Sequence, residues 1–283
     1  AREKMLTRYG ALVESTADTA GFRETYAETR QEYVIEYLTF NRRNANSIIS
    51  CLFLAKENAR SIREKISKDM WEAINELYIE VAEQPAAPSE LLRGHTRTNA
   101  FFRDIRRSCH AFYGISDGTL NHDETYYFAL LGRALERADK TTRILDLQSY
   151  MLTPEIQAHW NEGRLFLAQS ILKATSAYEM FNQAYAKITV ENILEFLLLN
   201  RTFPRAIIAS LLQIEFALRC LTGEHRGFFT NTAQKKVQRL LLETRHSDIP
   251  SLVGPALNAY LDNLQAKLNE IGIEIANAYF TAA

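Results

Sequence analysis

Apolar residues recur along this chain at steps of three and four, the period of a helix with one buried face. The pattern predicts helices over residues 10–20, 22–40, 46–66, 68–83, 89–112, 123–151, 163–186, 189–200, 203–221, 231–245 and 253–279. Turn formers separate them at Pro85 to Pro88, Gly114 to Asn121, Thr153-Pro154 with Asn161 to Gly163, Gly223 to Asn231, and Ser247 to Pro250. No stretch alternates apolar and polar for long enough to demand a strand. The expected fold is all-α, a large helical bundle with no sheet.

The most informative helix is Leu130 to Leu147, LLGRALERADKTTRILDL. Leu131, Leu135, Ala138 and Leu145 fall near one face. Glu136, Asp139 and Arg143 follow at spacings where side chains meet, and Arg133, Arg137 and Lys140 form a basic stripe. Two readings stand side by side. One is an ordinary helix laced by its own ion pairs. The other places Glu136 and Arg137 in a buried polar network.

The chain also matches itself when shifted by 159 residues, the distance from Asn41 to Asn200. Phe22, Tyr26 and Ala27 fall on Phe181, Tyr185 and Ala186. Glu32, Glu36 and Leu38 fall on Glu191, Glu195 and Leu197. Ile48, Ile49 and Leu52 fall on Ile207, Ile208 and Leu211. Asn41-Arg42 falls on Asn200-Arg201, Arg60 on Arg219, and Asn99-Ala100 on Asn258-Ala259, while residues 68–83 match poorly. Shared heptads would align apolar positions but not Asn-Arg, Glu and Asn-Ala. The expectation is one domain over 1–283, built from two pseudo-symmetric halves, 12–112 and 171–279, with the helix 123–151 between them. The counterpart of 130–147 would lie before Ala1, and the chain opens on Ala rather than Met. The native protein is therefore expected to continue upstream with an equivalent helix. Without that helix, the first half would carry an open apolar groove.

Composition narrows the classes. At 47% apolar and 24% charged, the 283 residues suit a globular protein. A formal net charge of -1 gives no bulk electrostatic case for nucleic acid or an acidic membrane. The three cysteines, Cys51, Cys109 and Cys220, lie far apart on apolar helical stretches, as buried reduced thiols of an intracellular protein would. No apolar run approaches the roughly 20 residues that span a bilayer. A cytoplasmic location, with neither membrane nor nucleic acid as partner, is expected.

Few residues carry legible chemistry. In NRTFPR, Pro204 pushes Phe203 out of helical geometry and suits the first turn of the next helix. Asn200 suits a left-handed helix cap. Arg201 and Arg205 then sit at a helix junction. They either pair with acids and open carbonyls or form an anion site for phosphate or carboxylate. The first copy keeps Asn41 and Arg42 but has Ala45 and Asn46 in place of Pro204 and Arg205, so an anion site of Arg201, Arg205 and Arg42 would be asymmetric. In the loop Ser116 to Glu124, turn and helix-start chemistry accounts for Asp117, Asp123 and Glu124 without a metal. One Glu-x-x-His, Glu243 to His246, falls short of a di-iron bundle. No phosphate loop, serine elbow or local Cys-His pair is present. No metal or cofactor is expected.

LGRALERADKTTRILD, with SDGT…DE upstream and FLLLNRTFPRAI downstream, resembles the alpha-E domain, a bacterial all-helical family with a Glu-Arg signature. ENARSIREKISKDMWEAINELY, Glu57 to Tyr78, matches another of its blocks, and the resemblance covers nearly the whole chain. The family's opening Glu-Arg helix is absent here, and Ala45 stands where the family often has Pro. The resemblance implies work beside circularly permuted ATP-grasp proteins and transglutaminase-like proteases, in peptide or amide ligation and processing. It places the signature on Glu136 and Arg137, with Asp139, Arg201 and Arg205 in neighbouring motifs. Three roles follow. The chain is a non-catalytic helical partner of the ATP-grasp protein or its peptide. Or it is an enzyme of that system, with Glu136 as base and Arg137, Arg201 and Arg205 as an anion clamp. Or it is a purely structural interaction module.

Overall fold

A computed structural model describes residues 12, 13, 16, 18–83, 95–151, 161–223 and 231–280. Among these residues the regular elements are helices and there is no strand, as the periodicity predicted. They are α1 (Thr19–Thr25), α2 (Gln31–Thr39), α3 (Ile48–Ser61), α4 (Lys68–Ala82), α5 (His95–Thr119), α6 (Glu124–Met151), α7 (Asn161–Ala174), α8 (Tyr178–Ala184), α9 (Val190–Leu199), α10 (Ile207–Thr222), α11 (Thr232–Arg245), α12 (Ile249–Leu252) and α13 (Ala256–Tyr279). The turn signals at Pro85 to Pro88 and Thr153-Pro154, and residues 224–230, lie outside the described residues. So does most of the predicted helix 10–20.

The chain divides into two compact units between Tyr126 and Tyr127, early in α6. In the first unit α3 packs on α4 and α4 on α5. Their shared core is Ile49, Leu52, Ile74, Leu77, Val81, Phe101 and Ile105. A smaller cluster of Val13, Phe22, Val34 and Tyr37 joins α1 to α2. In the second unit α9, α10, α11 and α13 pack in succession, through α9 on α10, α10 on α11, and α11 on α13. Ile193, Leu197, Leu211, Ile214, Val237 and Leu261 are sealed there from solvent. Each such side chain contributes about 1.5–3 kcal/mol of burial. Side chains close the helix starts: Ser47 accepts from Ser50 N, Ser67 from Met70 N, Thr189 from Asn192 N and Asn231 from Gln234 N.

Several predicted boundaries move. The stretch 22–40 breaks after α1, where Tyr26 turns extended. The stretch 163–186 breaks at Ser176, held at φ 54, while the Thr175 hydroxyl folds back to Ile171 O at 2.8 Å. Conversely, α5 runs through the Gly114 turn signal to Thr119. An added Cβ at Gly114 or Gly118 would meet nothing within 4 Å, so neither glycine marks a close approach.

Helix boundaries also correspond between the units. α1 and α8 begin and end 159 residues apart, and α2 and α9, like α3 and α10, begin 159 apart. Local geometry follows suit. Tyr26 has φ -130 and ψ 131, and Tyr185 has φ -130 and ψ 132. The Phe22–Tyr26 and Phe181–Tyr185 ring centroids lie 5.1 and 5.0 Å apart. The offset slips between α4 and α11, which start at Lys68 and Thr232, in the stretch where the sequences diverge.

Candidate functional site

The α9–α10 corner is built by one asparagine. Asn200 Oδ1 accepts from Thr202 N, Thr202 Oγ1 and Phe203 N, each at 2.9 Å. Its backbone is extended, at φ -71 and ψ 112, rather than in the predicted left-handed cap. The side chain itself makes the turn, which removes the need for a positive φ. Asn41 does the same in the first unit, accepting from Arg43 N at 2.9 Å. Phe203, buried, sets its ring 4.9 Å from that of Phe196 and anchors the corner. Pro204 precedes α10 by two residues instead of entering its first turn, and Ala206 N bonds to Phe203 O at 3.0 Å.

The Glu-Arg helix meets this corner through backbone oxygens. Arg137 Nη1 donates to Pro204 O at 3.4 Å. The Thr141 hydroxyl lies 2.9 Å from both Arg205 O and Arg137 O, so its single proton is shared between them. Near the other end of α10, the Tyr127 ring packs edge-on against Phe216 with centroids 6.1 Å apart. Residue numbers fall along α10 as they rise along α6, so the two helices run antiparallel. These donors meet carbonyls in the turn that precedes α10, where backbone groups need outside partners.

The two acids of α6 behave differently. Glu136 is 71% exposed and its carboxylate lies 3.5 Å from Lys140 Nζ. It sits two residues from each of the buried Ala134 and Ala138, about 200° round the helix from either. The predicted buried network around Glu136 is therefore not what the helix forms. Its buried acid is Asp139, whose side chain is only 13% exposed. Asp139 Oδ2 accepts from Arg143 Nε at 2.8 Å and Lys140 Nζ at 3.3 Å, while the buried Oδ1 has no hydrogen-bond partner. Beside it Thr142, fully buried, donates to Asp139 O at 2.7 Å, and further along Asp146 accepts from Asn258 at 2.8 Å. Sequence reasoning named Asp139 but passed over Thr141 and Thr142. The available signal was a pair of hydroxyls one turn after Arg137, on the alanine side of the helix.

The remaining candidates are placed as follows. Arg201 is exposed and Arg205 half-buried; what α6 grips of Arg205 is its carbonyl. Arg42, in the first unit, is exposed with Nη1 3.5 Å from Tyr78 Oη. In the 116–124 loop Asp117 accepts from Tyr126 Oη at 3.3 Å and Asp123 from Thr125 N at 3.0 Å. Among the described residues no group of three His, Cys, Asp or Glu is arranged to hold a metal. None of the cysteines is in a disulfide. Cys51 is exposed rather than buried, because it stands on the outer face of α3. Cys109 is half-buried, and burial pushes its thiol up. No helix among the described residues is long and apolar enough to cross a membrane.

No curated protein and no solved structure matches this chain. The sequence model of one family, described as a predicted alpha-helical domain with a conserved ER motif, matches residues 3–280. Its ER pair falls in α6, on the helix that grips the corner. The chain belongs to the Alpha-E family.

Proposed function

We propose that the chain is a non-catalytic helical partner in a peptide or amide ligation system centred on a circularly permuted ATP-grasp protein, acting in the cytoplasm and without a cofactor of its own. One observation carries this reading. Arg137, with Thr141 one turn on, closes the carbonyls of Pro204 and Arg205, so the family's arginine serves to hold a helix corner in shape. Its neighbour Glu136 stands in water beside Lys140, without the enclosed setting in which a general base is usually tuned. A rigid corner with exposed arginines is suited to presenting a surface to an enzyme or its peptide.

The test uses the intact chain, its neighbouring ATP-grasp protein and a reconstituted ligation assay. Arg137→Ala removes a charge-assisted hydrogen bond at a partly exposed site, expected to cost about 1–2 kcal/mol, and lowers both the melting temperature and capture of the partner. Glu136→Gln leaves stability, capture and ligation unchanged. Loss of ligation in Glu136→Gln, with the fold intact, overturns the non-catalytic reading in favour of an enzyme using Glu136 and an arginine clamp. A chain that never captures the ATP-grasp protein overturns the partnership.

A further inference from the structure

The two units present the same corner and the same helix after it, yet cover them differently. In the second unit α6 runs along α10. The α10 positions one turn apart beneath it, Ala206, Ser210 and Ala217, are fully buried, and Gln213 is half-buried. These residues are small, which lets two helices approach closely. The α6 positions that answer them, Ala134 and Ala138, are small and fully buried too. The matching positions on α3 are Ser47, Cys51, Leu54 and Asn58. Ser47 is buried as the helix cap, but Cys51 and Asn58 are exposed and Leu54 is 53% exposed. Phe53, on the flank of this face, is 41% exposed. Solvated side chains this apolar, in a row on a helix that is otherwise anchored, mark a docking face. At the corner, Ala45 O is approached by the Cys51 thiol at 3.7 Å, where Pro204 O has the Arg137 guanidinium at 3.4 Å.

We infer that the exposed face of α3 is a docking site for an amphipathic helix of the α6 kind, supplied by a partner polypeptide. The occupant carries alanines one turn apart, with an arginine and a threonine four residues apart beside them. It lies antiparallel to α3 with the alanines over Cys51 and Leu54, and its arginine and threonine reach the carbonyls of Ala45 and Asn46. The argument for this occupant is internal to the molecule. The second unit holds such a helix on the equivalent face of an equivalent frame, by contacts to the equivalent carbonyls. Helix-in-groove recognition of this type reads its partner at one-turn spacing. The inference deepens the scaffold reading by naming the surface and the form of the partner.

A fluorescein-labelled peptide of residues 127–148, which carries Arg137 and Thr141, serves as the probe. Titrated with the full chain, it gains anisotropy and saturates at one peptide per chain. Leu54→Asp in the chain weakens binding by at least about tenfold, as does Asn58→Trp; both positions are exposed, so the folded state tolerates them, which unchanged melting temperatures verify. Leu242→Asp, at an exposed site on α11, leaves binding unchanged. Bound peptide slows alkylation of Cys51 while the half-buried Cys109 and Cys220 react as before. An Arg137→Ala, Thr141→Val peptide binds more weakly. Absent binding, or binding indifferent to Leu54→Asp, overturns the site. So does a chain found dimeric through the α3 face, for the occupant is then a second copy. A chain that captures its ATP-grasp partner through other surfaces yet ignores the peptide overturns this inference alone and leaves the scaffold reading standing.

Discussion

Gly21 and Tyr37 make a matched pair. A Cβ on Gly21 would come within 2.6 Å of Tyr37 Oη, the hydroxyl that reaches Asp18 O at 3.4 Å. The Tyr37 ring cannot retreat freely, because it packs edge-on against Phe22 with centroids 5.2 Å apart. At the equivalent places in the second unit stand Met180 and Phe196. There the ring has no hydroxyl, and a side chain occupies the glycine's position. Gly21→Ala is therefore expected to destabilise by about 1–3 kcal/mol through overpacking. Adding Tyr37→Phe recovers most of that loss, a non-additivity that a double-mutant cycle by chemical denaturation measures directly. Glu36 supplies a second case. Burial pushes its carboxyl up, and its buried Oε2 has no hydrogen-bond partner. The native state then holds this proton more tightly than the unfolded chain does. Stability is lost as pH rises from the ordinary carboxylate range through the raised folded value. Glu36→Gln is expected to raise the melting temperature at pH 7, with the gain vanishing in acid below that range. Melting curves across pH check both the sign and the window.

Helices differ in how deeply they are held. α10 buries Ile207, Ile208, Ala209, Ser210, Leu211, Ile214, Ala217 and Leu218, whereas α3 buries Ile49 and Leu52. Opening α10 exposes far more apolar surface, so its amides are expected to exchange with solvent more slowly than those of α3 in native-state hydrogen exchange. Faster exchange along α10 would contradict the packing described. The helices themselves were legible from period alone, since Leu, Ile and Ala at three- and four-residue steps leave little choice. Their ends were harder. The break at Tyr26 and the break at Ser176 involve no proline or obligatory glycine. They arise from aromatic packing and from a threonine bonding back to its own helix, which local composition does not announce. Gly114 and Gly118 misled in the other direction, because glycine on an open helix face costs stability without ending the helix. In the candidate site, the partnership of α6 with the NRTFPR corner was legible as two neighbouring motifs. That the partnership runs through backbone oxygens was not, for a carbonyl carries no residue signature. The same blindness placed the buried acid at Glu136, when the helical phase sets Asp139 inward.

Taken together, the two units have the look of one design carried out twice with different fillings. α1 to α3 and α8 to α10 share their starting offsets, their asparagine-built corners and the spacing of their aromatic rings. Membership in the Alpha-E family spans both, so its ER motif belongs to an architecture larger than the single helix that bears it. The Gly21–Tyr37 pair sets the history open to such an architecture. A lineage that first trades the tyrosine for phenylalanine loses only a weak bond and gains room for any side chain at the glycine. A lineage that first enlarges the glycine must pass through a clash that selection would remove. Of the two routes between the pockets, only the one that begins at the ring runs downhill or level, and each pocket constrains what its own descendants can become.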